Sequence, residues 1–586
     1  MANYLDKYLN ITPTITVAPK VPEPTAVMLP NNNQPIALQP MGTNVLERYL
    51  QNQGIVAATQ VNAVNNSKTV QGYKNTLRTK FQNNEATIMG VIIRSLGAKN
   101  NVGNELIREG DVRGTFINAV DRLDELKELG INTLHVLPIN PPGKKNAFGT
   151  AGSVYAPADL LKVDPALVDP NDPRTPDEQF KYFTDECHKR GISVMLDLPS
   201  CASYDLFLER PDLMAFEKDG TPKTPGGWND IRMFNPWKDE SKRELNKELL
   251  DYHVKFVDKC VKNWGVDGIR SDVARTKPTE FWHILTDYSR KLDPEFAWLA
   301  ESYTYEDASP QLNMNYDRPQ DSLRAGFDSY YGQYHIFHEM TKAQDLINYV
   351  KENINMSQEL EPGKSLIGSF GTHDDISIMN HGGVTFTNLV SGLQATLPML
   401  NPYYFDGYQS GDYYMYDFEG TTDEQTETDS NECTVHRSKP DIFNYSRPLI
   451  GDFPECGDFM KNTLDVRNDK KYHDVLTKGS FIPLKVAHND DDQIIAYARH
   501  LNGKTLLVVA NRDVNARQDG SIIIPGLKET QKLNNLFKSY GESSTLQAAD
   551  GKLNVDLGSG RIHLFEIDTP NIETSGVEVL KQNLKV

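Results

Sequence analysis

Three times in the first half of the chain, an apolar pattern of helical spacing runs into a glycine and then into a short β-branched run. Phe116, Val120, Leu123 and Leu126 precede Gly130 and the strand-like residues 131–139. Phe180, Phe183 and Cys187 precede Gly191 and residues 192–198; Leu245, Leu249, Tyr252, Phe256, Cys260 and Trp264 precede Gly265 and residues 266–272. Glycine just past a helix takes the left-handed cap without steric cost. Residues 87–93 read as a further buried strand, 281–292 as a helix and 296–301 as another strand. Helix, glycine and strand in repetition predict βα units around a parallel sheet, either doubly wound or closed. A dinucleotide-type doubly wound sheet wants GxGxxG after its first strand, and none is there. Polar residues instead end the strands: Asp197, Asp272, Glu301, and His373-Asp374 after residues 367–370. Functional groups gathered at many strand ends mark the (β/α)8 barrel.

A chain of 586 residues exceeds one core, and its character changes twice. Residues 1–85 are rich in Pro, Asn, Gln and Thr, and read as a flexible N-terminal tail with one short helix around 45–52. Its removal to about residue 80 is expected to leave folding and activity nearly unchanged. The barrel is assigned to 86–475, with an insertion after the third strand at about 202–240. Short β-rich runs at 493–499, 505–510 and 520–525 predict a C-terminal antiparallel β-sandwich over 476–570, followed by a tail at 571–586.

The formal charge, 61 − 80 = −19, argues against nucleic acid or anionic membrane as partner. The cysteines (Cys187, Cys201, Cys260, Cys433 and Cys456) are scattered, with no CxxC pair; neither a disulfide framework nor a thiolate zinc site is expected, and a reducing compartment is. No basic-then-apolar leader opens the sequence and no apolar run reaches membrane-span length, so a soluble cytoplasmic protein is expected.

The chemistry centres on Gly268-Ile-Arg270-Ser-Asp272. Alternation along a strand points Arg270 and Asp272 the same way. Inside a barrel the guanidinium keeps the carboxylate ionised and oriented, which suits a nucleophile; a structural ion pair has the same signature. Glu301 follows the apolar Phe296-Ala-Trp-Leu-Ala, where a carboxyl's pKa rises toward that of a general acid, although a rim or capping glutamate sits in such places too. Two carboxyls on adjacent strand ends about 5 Å apart fit a retaining glycosidase. Cys201 reads as a buried thiol, the acidic run 421–429 as a solvated loop, and Tyr413, Tyr414 and Tyr416 as core residues rather than sugar platforms.

Gly265-Val-Asp-Gly-Ile-Arg-Ser-Asp272, Trp298-Leu-Ala-Glu301 and Gly371-Thr-His-Asp374 resemble the catalytic stretches of the α-amylase family, glycoside hydrolase family 13, in order and spacing. Gly110-Asp-Val-Arg-Gly-Thr115, residues 129–139, Gly152-Ser-Val-Tyr-Ala156 with Asp159, and Arg190-Gly-Ile-Ser-Val-Met-Leu-Asp197 extend the resemblance, which covers about 86–570. It implies Asp272 as nucleophile, Glu301 as acid/base and Asp374 as the carboxylate that binds sugar hydroxyls. It further implies His373 as a sugar contact, Arg270 as support of the nucleophile, Asp197 as the orienter of that arginine, Tyr155 as the platform under the sugar, and Arg275 as an acceptor-side contact.

The family usually carries Asn and His four and five positions after the first aspartate, the Asn often binding calcium. Here Cys201 and Ala202 stand there, neither a hard oxygen donor, so the resemblance carries no metal or other cofactor to this chain. That departure, with Ala274-Arg-Thr276-Lys-Pro278, resembles the family's maltosyltransferases. The resemblance therefore implies a retaining enzyme of α-glucan, chiefly a hydrolase of α-1,4-glucan or maltooligosaccharide. A maltosyltransferase-like glycosyltransferase and a catalytically impaired carbohydrate-binding protein are the alternatives.

Overall fold

Eight parallel strands close into a barrel in the order in which they occur along the chain. They are β1 (Ile88–Val91), β2 (Thr133–Val136), β3 (Ser193–Leu198), β4 (Gly268–Ser271), β5 (Ala297–Ala300), β6 (Ser329–Tyr330), β7 (Ser365–Gly368) and β8 (Leu400–Phe405). β8 returns to β1 with Tyr403 opposite Ile88. The computed structural model describes Val70 and residues 72–585 except 100–106, 108–109, 150, 226–229, 303–317, 414–425, 429–433, 437–438, 446–452, 489–490 and 538–544. The helix expected around 45–52, Cys433, Tyr414, Tyr416 and most of the acidic run 421–429 lie outside the described residues.

The capping glycines behave as the pattern requires: Gly130, Gly191 and Gly265 take φ of 95°, 74° and 68° and turn each helix into its strand. β6 escaped the sequence pattern because it is a two-residue Ser-Tyr pair, with neither an apolar run nor an alternation to betray it. Between β3 and β4 the insertion forms two small hairpins, Cys201–Ser203 with Ile231–Met233 and Trp237–Asp239 with Glu244–Leu245, so it runs slightly beyond the 202–240 expected.

Side chains of alternate residues fill the barrel. Ile88, Met195, Ala297, Leu299, Ile367 and Tyr403 form one buried cluster, and Leu77 and Phe81 belong to it. Those two side chains come from a helix, Leu77–Gln82, in the segment that the composition assigned to the tail. The described residues before 86 are therefore part of the barrel. They are held there by Asn75 donating to Asp293 (2.7 Å), Arg78 pairing with Asp328 (3.1 Å) and Lys80 donating to Ser193 (3.0 Å). Two apolar residues at i and i+4 suffice to stop the barrel's N-terminal mouth, and too few stand there to shift the local composition.

At the other end of the chain, two antiparallel sheets face each other across a core that includes Ile494, Leu507, Val509, Ile522, Leu553 and Phe565. The expected C-terminal tail is also packed. Ile572 is buried in that core and Leu580 exchanges backbone hydrogen bonds with Phe481. Asn583 donates to Ser357 and Leu360 carbonyls (2.6 and 2.9 Å) at the end of helix Ala343–Gln358, which satisfies groups a helix leaves orphaned. Polar residues that serve backbone carbonyls look the same in sequence as polar residues that face water. Two buried arginines gather backbone carbonyls, Arg467 within the barrel and Arg499 from the sandwich into it. Arg499 donates to the carbonyls of Thr396, Leu476 and Gly479, and Arg467 to those of Ala395, Asn84 and Leu400, at 2.6–2.9 Å. No helix among the described residues is long and apolar enough to cross a membrane.

Truncating a buried aromatic side chain removes its transfer energy and leaves a cavity, so Phe81→Ala should lower unfolding free energy by about 3–5 kcal/mol. A chain starting at residue 86 should lose cooperative unfolding altogether. Urea melts check both, and a wild-type midpoint for Phe81→Ala would place the helix off the core.

Candidate active site

One guanidinium organises the barrel's C-terminal mouth. Strand register sets Arg270 on β4 opposite Asp197 on β3 and Leu299 on β5. Its side chain is 0% exposed. Nη1 donates to both oxygens of Asp197 (2.9 Å each) and to Oδ1 of Asp272 (3.2 Å), and Nη2 donates to Oε2 of Glu301 (2.8 Å). The planar fork thus spaces Asp272 and Glu301 by about its own width. Both carboxylates still reach solvent, at 14% and 11% exposure.

Directly after Asp272 the chain reverses. Val273 sits at φ 33°, ψ 65°, a left-handed conformation that a β-branched residue adopts only under strain. The reversal aims the Val273 N–H at Oε2 of Glu301, 2.8 Å away. Arg275 follows in the 3-10 turn Ala274–Thr276 and is partly buried.

Across the mouth, Tyr155 donates to Oδ2 of Asp197 (2.7 Å) and meets Nε2 of His373 at 2.8 Å, the two rings stacking 5.4 Å apart at 8°. Oδ2 of Asp374 lies 3.4 Å from the same His373 nitrogen, with that carboxylate 23% exposed. Beneath them His135 on β2 bridges Asp197 (3.1 Å) and the Tyr403 hydroxyl (3.1 Å). Any side chain at Gly90 on β1 would collide with that hydroxyl, since a Cβ there would lie 2.3 Å from it. The residues nominated from sequence, Asp197, Arg270, Asp272, Glu301, His373, Asp374 and Tyr155, therefore form one connected network. His135 and Tyr403 were missed; a histidine inside the apolar run 131–139 was the available signal.

The electrostatics separate the carboxyls. Burial would push Asp197 up, but Arg270 and the His135 hydrogen bond outweigh it and hold Asp197 below its usual range. Burial lowers His135, which stays a neutral hydrogen-bonding ring. For Glu301, burial combines with the charges of Asp272 and Asp374 against Arg270, and pushes it up to about 7. An acid that keeps its proton near neutral pH thus stands beside another carboxylate on the same guanidinium.

Where the family's calcium-binding asparagine would stand, Cys201 is buried and its thiol is pushed up to about 11 by burial, while Ala202 presents a buried methyl. A neutral thiol and a methyl do not fit a hard cation. Among the described residues, no cluster of three or more His, Cys, Asp or Glu side chains is placed to hold a metal ion. Tyr413, read from sequence as core, is 44% exposed and packs edge-on against Phe453.

No family model matches the chain. It is 30% identical over 212 residues to the alpha-1,4-glucan:maltose-1-phosphate maltosyltransferase of Myxococcus xanthus, covering 34% of this chain and 31% of that protein. It is 23% identical over 467 residues to the cyclomaltodextrinase of Thermoanaerobacter pseudethanolicus, covering 73% and 68%. In fold it resembles the noncanonic maltogenic alpha-amylase AmyB of Thermotoga neapolitana, with a TM-score of 0.61 at 19% identity over 83% of this chain and 99% of that one. The chain thus resembles members of the α-amylase family, in sequence over as much as 73% of its length and in fold over 83%. It matches 31%, 58% and 64% of the lengths of the first three curated maltosyltransferases of that family it resembles, less than two thirds of each.

Glu301 binds its proton to about pH 7 in the folded state, against 4.5 for an unperturbed side chain. Its raised pKa adds stability that is fully present below about pH 4.5 and is lost as pH rises through 7. Glu301→Gln, which never ionises, should therefore be more stable than wild type at pH 8 by up to about 3 kcal/mol and equal to it at pH 4. Urea midpoints at the two pH values measure this; parallel pH curves would mean Glu301 is not a perturbed acid.

Proposed function

We propose that the protein cleaves α-glucosidic bonds with retention of configuration, through a glycosyl ester on Asp272 and with Glu301 as acid and then base. The observation that carries this reading is the Arg270 fork, which holds the two carboxyls on one guanidinium, with Glu301 pushed up to about 7. Oδ1 of Asp272 attacks the anomeric carbon as Glu301 protonates the departing oxygen. Glu301, now ionised, takes a proton from the incoming water or hydroxyl, which breaks the ester. Asp374 and His373 hold sugar hydroxyls, Tyr155 lies under the ring, Asp197 keeps Arg270 in register, and Arg275 meets the acceptor side.

The substrate we assign is α-1,4-glucan or maltooligosaccharide, with water as acceptor, a reading supported by the likeness to a cyclomaltodextrinase. A second reading, transfer of maltosyl units from maltose 1-phosphate to a glucan chain, is supported by the maltosyltransferase relatives and by Cys201-Ala202 in place of the family's usual pair. The two share the first half-reaction. Incubation with maltooligosaccharides alone, and with maltose 1-phosphate plus glycogen, distinguishes them: shortened oligosaccharides mark the hydrolase, inorganic phosphate and lengthened chains the transferase.

Asp272→Asn should lose several orders of magnitude of turnover on every substrate. Glu301→Gln should lose comparably on glucan, yet retain a measurable first step on an α-glycosyl fluoride, whose leaving group needs little protonation. Wild-type activity on glucan should fall as pH rises through about 7, a limb absent from fluoride release. Near-normal turnover by folded Asp272→Asn would overturn the assignment.

A further inference from the structure

Asp272 has a second set of partners that the reaction scheme above does not use. Its Oδ2 accepts from the backbone N–H of Ser200 (3.0 Å) and from the Ser200 hydroxyl (2.7 Å), whereas Oδ1 faces Arg270 at a longer 3.2 Å. Ser200 is buried and lies in the turn that leaves β3, just before the hairpin strand Cys201–Ser203. Its carbonyl accepts from the ammonium of Lys277 (3.0 Å), a buried side chain lodged against the rings of Phe234 and Trp282 at 5.4 and 5.5 Å. Trp282 in turn donates to the Ala274 carbonyl (2.7 Å), so the segment after β4 grips Ser200 on both sides: Asp272 at its N–H and hydroxyl, Lys277 at its carbonyl.

Resting on the reading of Asp272 as nucleophile, we propose that Ser200, backed by Lys277, is a positioning residue that reserves Oδ2 as the carbonyl oxygen of the ester and leaves Oδ1 to attack. In the first step the Oδ1–C1 bond forms, the bond from C1 to the leaving oxygen breaks, and the Glu301 proton goes to that oxygen. Asp272 loses its negative charge. In the second step the acceptor oxygen bonds C1, its proton goes to Glu301, and the electron pair of the C1–Oδ1 bond returns to Asp272. The charge reappears on a carboxylate whose Oδ2 already holds two donors. Donors aimed at developing charge lower the barrier of the step in which it develops, so Ser200 assists breakdown of the ester and not its formation. Lys277 acts through Ser200 by fixing the turn that carries both donors.

The test uses the full chain with α-maltosyl fluoride, following the fluoride burst, steady-state release and the mass of the Asp272 peptide. Ser200→Ala keeps the backbone donor and should preserve the burst while slowing the steady state about tenfold to a hundredfold, with glycosyl-Asp272 accumulating. Ser200→Thr, which keeps the hydroxyl, should restore the steady state. Lys277→Met should shift the balance in the same direction as Ser200→Ala. A burst and steady state slowed by the same factor, or both unchanged, would overturn the proposal and leave Ser200 a structural turn residue. A wild-type protein that forms no adduct on Asp272 would overturn the functional reading first, and this inference with it.

Discussion

A buried guanidinium among three carboxylates is the constraint from which the rest of the molecule follows. Charged and polar groups withdrawn from water are costly unless each is paired, and Arg270 meets the carboxyl groups of Asp197, Asp272 and Glu301 at once. It can do so only because neighbouring parallel strands carry these residues at matching heights, Asp197 directly opposite Arg270 and Glu301 one step past the end of β5. Closure of the sheet thus comes before chemistry. The short strands, the glycine caps and the strained turn at Val273 all serve to bring groups distant in sequence onto one planar fork.

The barrel and its polar mouth were legible because they depend on strong local signals. Helical periodicity ending in Gly130, Gly191 and Gly265 is hard to mistake, and a charged residue at the end of an apolar run is conspicuous. What escaped was of another kind. β6 is too short to hold a pattern, and His135 and Ser200 acquire meaning only through partners 62 and 72 residues away. Leu77 and Phe81 hide in a polar stretch because a stopper needs only two apolar side chains. Gln582 and Asn583 fell in the stretch read as a C-terminal tail, since a side chain that satisfies a buried carbonyl is no less polar than one that meets water.

The two buried arginines outside the site show a different use of the same side chain. Arg467 and Arg499 meet carbonyl oxygens, and burial lowers them to about 10 and 9. Several partial charges replace one carboxylate, and the fork's geometry fixes helix ends and strand against one another. In Arg270 the guanidinium orders reacting groups; in these two it orders backbone, Arg467 within the barrel and Arg499 at the joint with the sandwich. Through Arg499 the sandwich becomes part of the barrel's frame, because the Thr396 carbonyl it holds lies just ahead of β8.

The floor of the barrel also sets when the molecule can be completed during synthesis. Asn84, at the entry to β1, donates to Gln582 across a separation of 498 residues, and the same Gln582 accepts from the backbone of Met399 ahead of β8. These contacts cannot form until residue 582 has emerged from the ribosome. The support Gln582 gives to the entries of β1 and β8 therefore arrives only after everything beyond β8 is translated. Contacts of such span carry a large loop-closure entropy and form slowly. Until β8 emerges to pair with β1, the nascent barrel also carries an open sheet edge, the kind of surface that invites misassociation.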